Sequence, residues 1–160
     1  MEKLDAIDRR ILALIQADAS LTSAEIAERA GLTQPPCWRR IRRLEETGVI
    51  EKRVGLLNQR KLGLNVTVIT RIKLSAHGRQ ALPEFEADIS AFPEVLECYT
   101  MMGEYDLLLK IVTRDIAHYE AFFRKHLSQM PTVQEIHSNV ALSQIKFTTE
   151  LPLDYAGVET

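Results

Sequence analysis

Leu4, Ile7, Ile11, Leu14 and Ile15 recur every three or four residues, the period that gathers apolar side chains on one face of a helix. With Asp5 placed as N-cap and Asp8 in the first turn, this pattern predicts an amphipathic helix over residues 5–18. A second helix is signposted at its start. Thr22 and Glu25 have capping-box spacing, Leu21 and Ile26 flank them as a hydrophobic staple, and Gly31 supplies the left-handed residue that ends helices. A third follows at once: Thr33 stands where it can cap, and Pro35 and Pro36 fit a first turn whose N–H groups have no intrahelical acceptor. Its inward stripe is Cys37, Ile41 and Leu44, and Gly48 closes it. The run "VIEKRVGLL" then reads as a short β-ribbon.

The period changes after the polar connector "NQRKLG". Val66, Val68, Thr70, Ile72 and Leu74 alternate with more polar neighbours, which predicts a half-buried strand. Leu82, Phe85, Ile89 and Phe92 return to helical spacing before Pro93. Two strand-like runs, "VLECYTMM" and "YDLLLKIVT", flank a tight "GE" turn. A helix from Asp115 with Ile116, Tyr119, Phe123, Leu127 and Met130 on one face precedes a last strand through "VQEIHSNVAL". The expected fold class is therefore α+β: a winged helix-turn-helix in residues 1–63, then a ferredoxin-like βαββαβ domain in 64–160 with both helices on one face of its sheet. Apolar residues on both faces of "DLLLKIV" predict that the uncovered face meets a second copy, giving a homodimer whose N-terminal units share two-fold symmetry.

Charge sharpens this picture. The formal net charge is −2, yet residues 1–63 carry 12 Lys+Arg against 9 Asp+Glu, while residues 39–61 alone carry 8 basic and 3 acidic side chains. A local basic excess on a small helical unit fits a polyanion, and the second helix of such a motif enters the major groove of double-stranded DNA. Arg39, Arg40, Arg42 and Arg43 are expected to face outward, Arg39 and Arg43 toward bases and Arg40, Arg42, Lys52 and Arg53 mostly toward phosphates. Thr33 and Gln34 at the start of the helix complete the expected DNA face. Trp38 either covers the edge of the helical bundle or reaches the DNA backbone through its indole N–H. An arginine's alternative is a salt bridge to Glu45 or Glu46.

At this point the chain resembles the Lrp/AsnC family, the feast/famine regulators of amino-acid metabolism. The resemblance is carried by "DRRILALIQAD", "AERAGLTQPPCWRRIRRLEETGVI" and above all "GEYDLLLKI", over about residues 4–150. It implies dimers that assemble into octamers or other multimers, and an amino-acid effector bound between subunits near the "GEYD" turn. The matching positions are Gly103, Glu104, Tyr105 and Asp106, facing a neighbour's Ser138, Asn139, Val140 and Ala141, with Thr100 just before the turn. The chemistry agrees: an amino acid's ammonium asks for a fixed anion, which Asp106 supplies, and its carboxylate for backbone N–H donors, which surround Gly103. The alternative is a hairpin that Gly103 merely permits and Asp106 caps. "CWRR" and "QIKFTTELPL" resemble a proteobacterial subgroup associated with cysteine responses, although "TQPPCW" departs from its usual threonine-rich version.

Other classes fare less well. An architectural DNA-binding protein without an effector is one rival, and an enzyme resembling the siroheme decarboxylases is another. His77, His118, His126 and His137 show no metal or catalytic spacing, and no phosphate-cradling glycine loop, nucleophile elbow or zinc signature is present, so no cofactor is expected. Cys37 and Cys98 are read as small core residues. The apolar runs fall short of the roughly 20 residues of a membrane span, and the N-terminus lacks secretory features, which predicts a cytoplasmic protein.

Overall fold

The computed structural model describes residues 4–155, which fall into two compact units. One combines the chain up to Leu56 with the segment from Lys146; the other is Leu57–Ile145.

The first unit holds three helices: α1 (Ala6–Ala17), α2 (Ser23–Ala30) and α3 (Gln34–Glu46). Both expected helix starts form reciprocal caps. Asp5 Oδ1 accepts from the Asp8 N–H at 2.8 Å while Asp8 Oδ2 accepts from the Asp5 N–H at 3.1 Å. Likewise Glu25 Oε2 accepts from the Thr22 N–H at 2.8 Å, and the hydroxyl and backbone of Thr22 hold the Glu25 carboxyl below its ordinary value. Gly31, at φ +73°, ends α2 as the spacing requires. Thr33 occupies the N-cap of α3 but makes no side-chain cap, because prolines in the first turn leave fewer N–H groups to satisfy. Ile11, Ile26, Cys37 and Leu44 meet in a core closed by Ile50.

Two expectations for this half change. Residues 49–57 form no strand among the described residues, since an extended segment becomes a ribbon only when a second strand satisfies its N–H and C=O groups. The C-terminal segment, expected to belong with the second domain, instead packs on α1. Gln16 Nε2 donates to the Leu151 carbonyl and the Leu151 N–H donates back to Gln16 Oε1, each at 3.0 Å, while Leu153 lies against the helical core.

The second unit contains β1 (Val66–Leu74), α4 (Ala76–Gln80), α5 (Leu82–Ser90), β2 (Val95–Thr100), β3 (Leu107–Thr113), α6 (Ile116–Lys125) and β4 (Val133–Val140). Its antiparallel sheet has the order β2-β3-β1-β4, which is the ferredoxin-like plan. Val68, Ile72 and Leu74 of β1 and Leu107, Leu109 and Ile111 of β3 pack with Phe85, Ile89, Phe122 and Leu127. The long helix expected over Leu82–Phe92 is shorter, and α4 precedes it, with a proline in the first turn of α5. α6 ends at Lys125, and Leu127 lies in the 3-10 turn that follows (Leu127–Gln129); Phe122 is buried, Phe123 is half-buried against the same core as expected, and Ile116 is exposed. The "GE" turn is in fact a six-residue loop, 101–106, because Thr100 pairs with Leu107. Cys37 is buried as expected, but Cys98 is exposed on edge strand β2. The sheet face away from the buried stripe is mixed rather than apolar: half-buried Ile69 and Leu108 share it with Arg71 and with Lys110, whose Nζ lies 2.6 Å from Glu97 Oε1.

Candidate nucleic-acid interface and effector site

The inward stripe of α3 fixes which of its side chains meet solvent, and the four arginines divide into distinct environments. Arg40 and Arg43 do not simply point outward. Arg40 Nη1 lies 2.6 Å from Asp5 Oδ2 and 2.8 Å from Asp8 Oδ1, and Arg43 Nη2 lies 2.7 Å from Asp8 Oδ2. Asp8 is 1% exposed, so this carboxylate needs cationic partners, and α3 provides two. The Asp5 carboxyl is held below its ordinary value, first by the Asp8 N–H and then by Arg40. Sequence spacing along α3 alone could not find this, because the partners sit 32 to 35 residues earlier on α1.

The other flank is built differently. Arg42 Nε lies 2.7 Å from Glu46 Oε1, and its guanidinium carbon stands 5.4 Å from the centroid of the Trp38 ring. Trp38 is 48% exposed, with Arg42 over its ring, so about half of the indole surface remains open to a partner. Arg39 is exposed and has no carboxylate within ion-pair distance among the described residues. It borders two shallow concavities: one of about 350 Å³ with Gln34, Pro35 and Trp38, and one of about 370 Å³ with Pro36, Arg40 and Arg43. Gln34 is steadied by a 3.3 Å bond from its Nε2 to Ser23 Oγ on α2. Lys52 and Arg53 lie on the exposed extended segment, where Arg53 reaches Glu45 at 3.1 Å. Gln34, Trp38 and Arg39 therefore form one accessible surface on α3, while Arg40 and Arg43 tie that helix to α1.

The expected effector residues all lie in the second unit, in two groups. Gly103 has φ +142°, a conformation L side chains rarely adopt, and Glu104 is exposed beside it. Asp106 is drawn into the sheet: its Oδ2 accepts from the Leu74 N–H at 2.7 Å, and its own N–H donates to the Ile72 carbonyl at 3.0 Å. That carboxylate serves the irregularity in pairing at Lys73/Leu74, which is the capping alternative in geometric form. Tyr105 lies beneath Arg71, whose guanidinium carbon is 4.7 Å from the ring centroid, and meets His137 edge-on at 5.1 Å. Arg71 and His137 were not anticipated. They are neighbours only through the β1–β4 register.

The second group follows β4. Ser138 Oγ accepts from Tyr119, and Thr70 Oγ1 stands 3.3 Å from each of them, a hydroxyl cluster partly beneath the sheet. Asn139 and Val140 are exposed on β4, and the Ala141 N–H donates to the Thr67 carbonyl at 2.9 Å. Thr100 ends β2, opposite Leu107. No cluster of metal-ligating side chains occurs among the described residues.

Comparison with known proteins gives these two units a family. Residues 4–51 match the model of a winged helix-turn-helix DNA-binding domain, and residues 67–151 match the Lrp/AsnC ligand binding domain. The DNA-binding transcriptional activator DecR of Escherichia coli K12 is 38% identical over 151 residues, covering 94% of this chain and 99% of DecR. An AsnC family transcriptional regulator from Agrobacterium tumefaciens superposes with a TM-score of 0.91 at 44% identity, covering 96% of this chain and 99% of that one. A transcriptional regulator from Neisseria meningitidis, solved as an L-Met complex, gives 0.90 at 32% identity over 95% and 98%. With both halves matched in order, the chain belongs to the Lrp/AsnC family of transcriptional regulators, joining a DNA-binding unit to a ligand-binding one.

Proposed function

We propose that this regulator reads double-stranded DNA with Gln34, Trp38 and Arg39, adds phosphate contacts from Arg42, Lys52 and Arg53, and responds to an amino acid bound around residues 101–106. The observation that carries the reading is the division of α3, which leaves Arg39 exposed without a carboxylate partner among the described residues while Arg40 and Arg43 are engaged by α1. An exposed guanidinium on the second helix of the motif has the reach and the five donors for guanine or phosphate. Arg40 and Arg43 add positive potential more than base contacts.

The effector reading is supported by the ligand-binding family of the second unit and by the amino acid held by the Neisseria relative. Asp106 offers negative charge at the loop, and Gly103 lets the backbone N–H groups approach a carboxylate. Ser138, Asn139, Val140 and Ala141 contribute from a neighbouring copy. Dimers form through the mixed sheet face and assemble further, toward octamers. Cysteine, from the subgroup resemblance, and methionine, from the Neisseria complex, are the first effectors to try.

Selection of random-sequence duplexes on the intact protein, followed by thermal melts with each common amino acid, tests both halves. A recurring two-fold-symmetric DNA site and a rise in melting midpoint with one class of amino acid are expected. Sequence-independent binding with no amino-acid effect would favour a purely architectural role.

A further inference from the structure

We infer that Trp38 and Pro35 form a receptor for the 5-methyl group of a thymine in each DNA half-site, so that the protein reads a methyl as well as hydrogen-bonding edges. This deepens the proposed DNA reading by α3 and rests on it. Trp38 is the large aromatic residue on the accessible surface of that helix, and 48% exposure is high for a tryptophan. It is also held in place. Arg42 stacks on its ring at 5.4 Å and is itself paired to Glu46 at 2.7 Å, so the indole is steadied before DNA arrives.

The concavity beside it is lined by Gln34, Pro35, Trp38 and Arg39. Pro35 has no N–H and Trp38 presents its ring, so one wall is apolar, while Gln34 and Arg39 bring donors to the rim. Among the four bases only thymine presents an apolar group in the major groove, its C5 methyl, and it lies beside the hydrogen-bonding edges that glutamine and arginine read. Charge selects the occupant. The concavity sits among arginines on a DNA-binding unit, which favours a polyanion carrying a small apolar feature over an apolar peptide.

The test uses the duplex selected on the full-length protein. Each thymine is replaced in turn by uracil, which removes only the methyl, and affinity is measured for wild type and for Trp38→Ala at a salt concentration where both bind. In wild type, one thymine per half-site should lose about fourfold on losing its methyl, the effect of exposing one buried methyl group. In Trp38→Ala that loss should vanish while its melting midpoint stays near wild type, since the side chain is half exposed. The inference is overturned if no thymine in the site is methyl-sensitive, or if the sensitivity persists in Trp38→Ala. It is equally overturned if Trp38→Ala weakens all duplexes alike, which would place the indole on the sugar-phosphate backbone. Failure to select any specific duplex would overturn the reading of DNA by α3 itself, a distinguishable result.

Discussion

Asp8 and Arg43 are joined across two helices by a 2.7 Å ion pair, and the same carboxylate takes Arg40 at 2.8 Å on its other oxygen. One residue of α1 thus anchors two arginines of α3 at once. In the proposed reading, Asp8 is a positioning residue that need never touch DNA.

Replacing Asp8 by Asn keeps its shape and removes the charge that two guanidiniums require. The arginines are 27% and 41% exposed, so water screens part of the loss, and about 1–3 kcal/mol of stability should go. Chemical denaturation reads this directly. An unchanged unfolding midpoint would mean that packing alone orients α3.

Arg39 and Arg40 should behave oppositely on truncation to Ala. Arg39→Ala should leave the melting curve near wild type and cost roughly 1–3 kcal/mol at one operator position, or lower the log–log salt slope by about 0.9 if its contact is a phosphate. Arg40→Ala should mainly lower the melting midpoint, through loss of its contacts with Asp5 and Asp8. Melting and salt-titrated DNA binding on both variants separate the two roles.

Asp106→Asn should fold, because its amide oxygen can still accept from the Leu74 N–H now held by the carboxylate at 2.7 Å. Asp106→Ala removes that acceptor and should cost about 1–3 kcal/mol. If the charge also faces an effector's ammonium, Asp106→Asn should weaken the amino acid about tenfold while DNA affinity without effector is unchanged. Calorimetry with the amino acid found in the thermal screen decides this. Normal affinity would leave Asp106 as a sheet cap alone.

Gly78→Ala should be the most damaging small substitution in the second unit. A Cβ there would fall 2.1 Å from the Thr132 carbonyl oxygen, so α4 or the backbone before β4 must move, at about 1–3 kcal/mol. Gly55→Ala is the control. Nothing lies within 4 Å of its added methyl, and its melting curve should match wild type.

Acid should weaken the helical unit through its caps. The Glu25 carboxyl is held below its ordinary value by the Thr22 hydroxyl and N–H, and Asp5 by the Asp8 N–H and Arg40. Carboxyls with folded values below their unfolded ones contribute stability above the ordinary carboxylate range and lose it as pH falls through the lowered values. Urea midpoints measured down through that range should decline, and Glu25→Gln should flatten part of the decline. A pH-independent midpoint would show that the caps carry no net charge effect.

Much of this protein is local, and local features were legible without coordinates. The capping pairs Asp5/Asp8 and Thr22/Glu25 span a single helical turn, and the alternation in Val66–Leu74 reports its own buried face, so chain-neighbour chemistry determined the helix starts and strand phases. The order of the strands, of α1 to α3 and of the helices after β1 and β3, and the basic character of α3, were equally plain. What the sequence by itself could not determine depends on residues far apart along the chain. Arg40 and Arg43 read as outward-facing because their partners lie on another helix, and the choice for Trp38 between bundle edge and DNA contact stayed open because exposure is a property of the assembled surface. The six-residue loop at Gly103 follows from the β2–β3 register, and the carboxylate of Asp106 is taken by the backbone of β1. Residues 49–57 have strand-like sequence but no strand partner among the described residues, and Leu151 meets Gln16 across more than half the chain. Pairing and burial are decided by tertiary neighbours, because a hydrogen bond, an ion pair or a covered face needs a second group that local sequence does not specify.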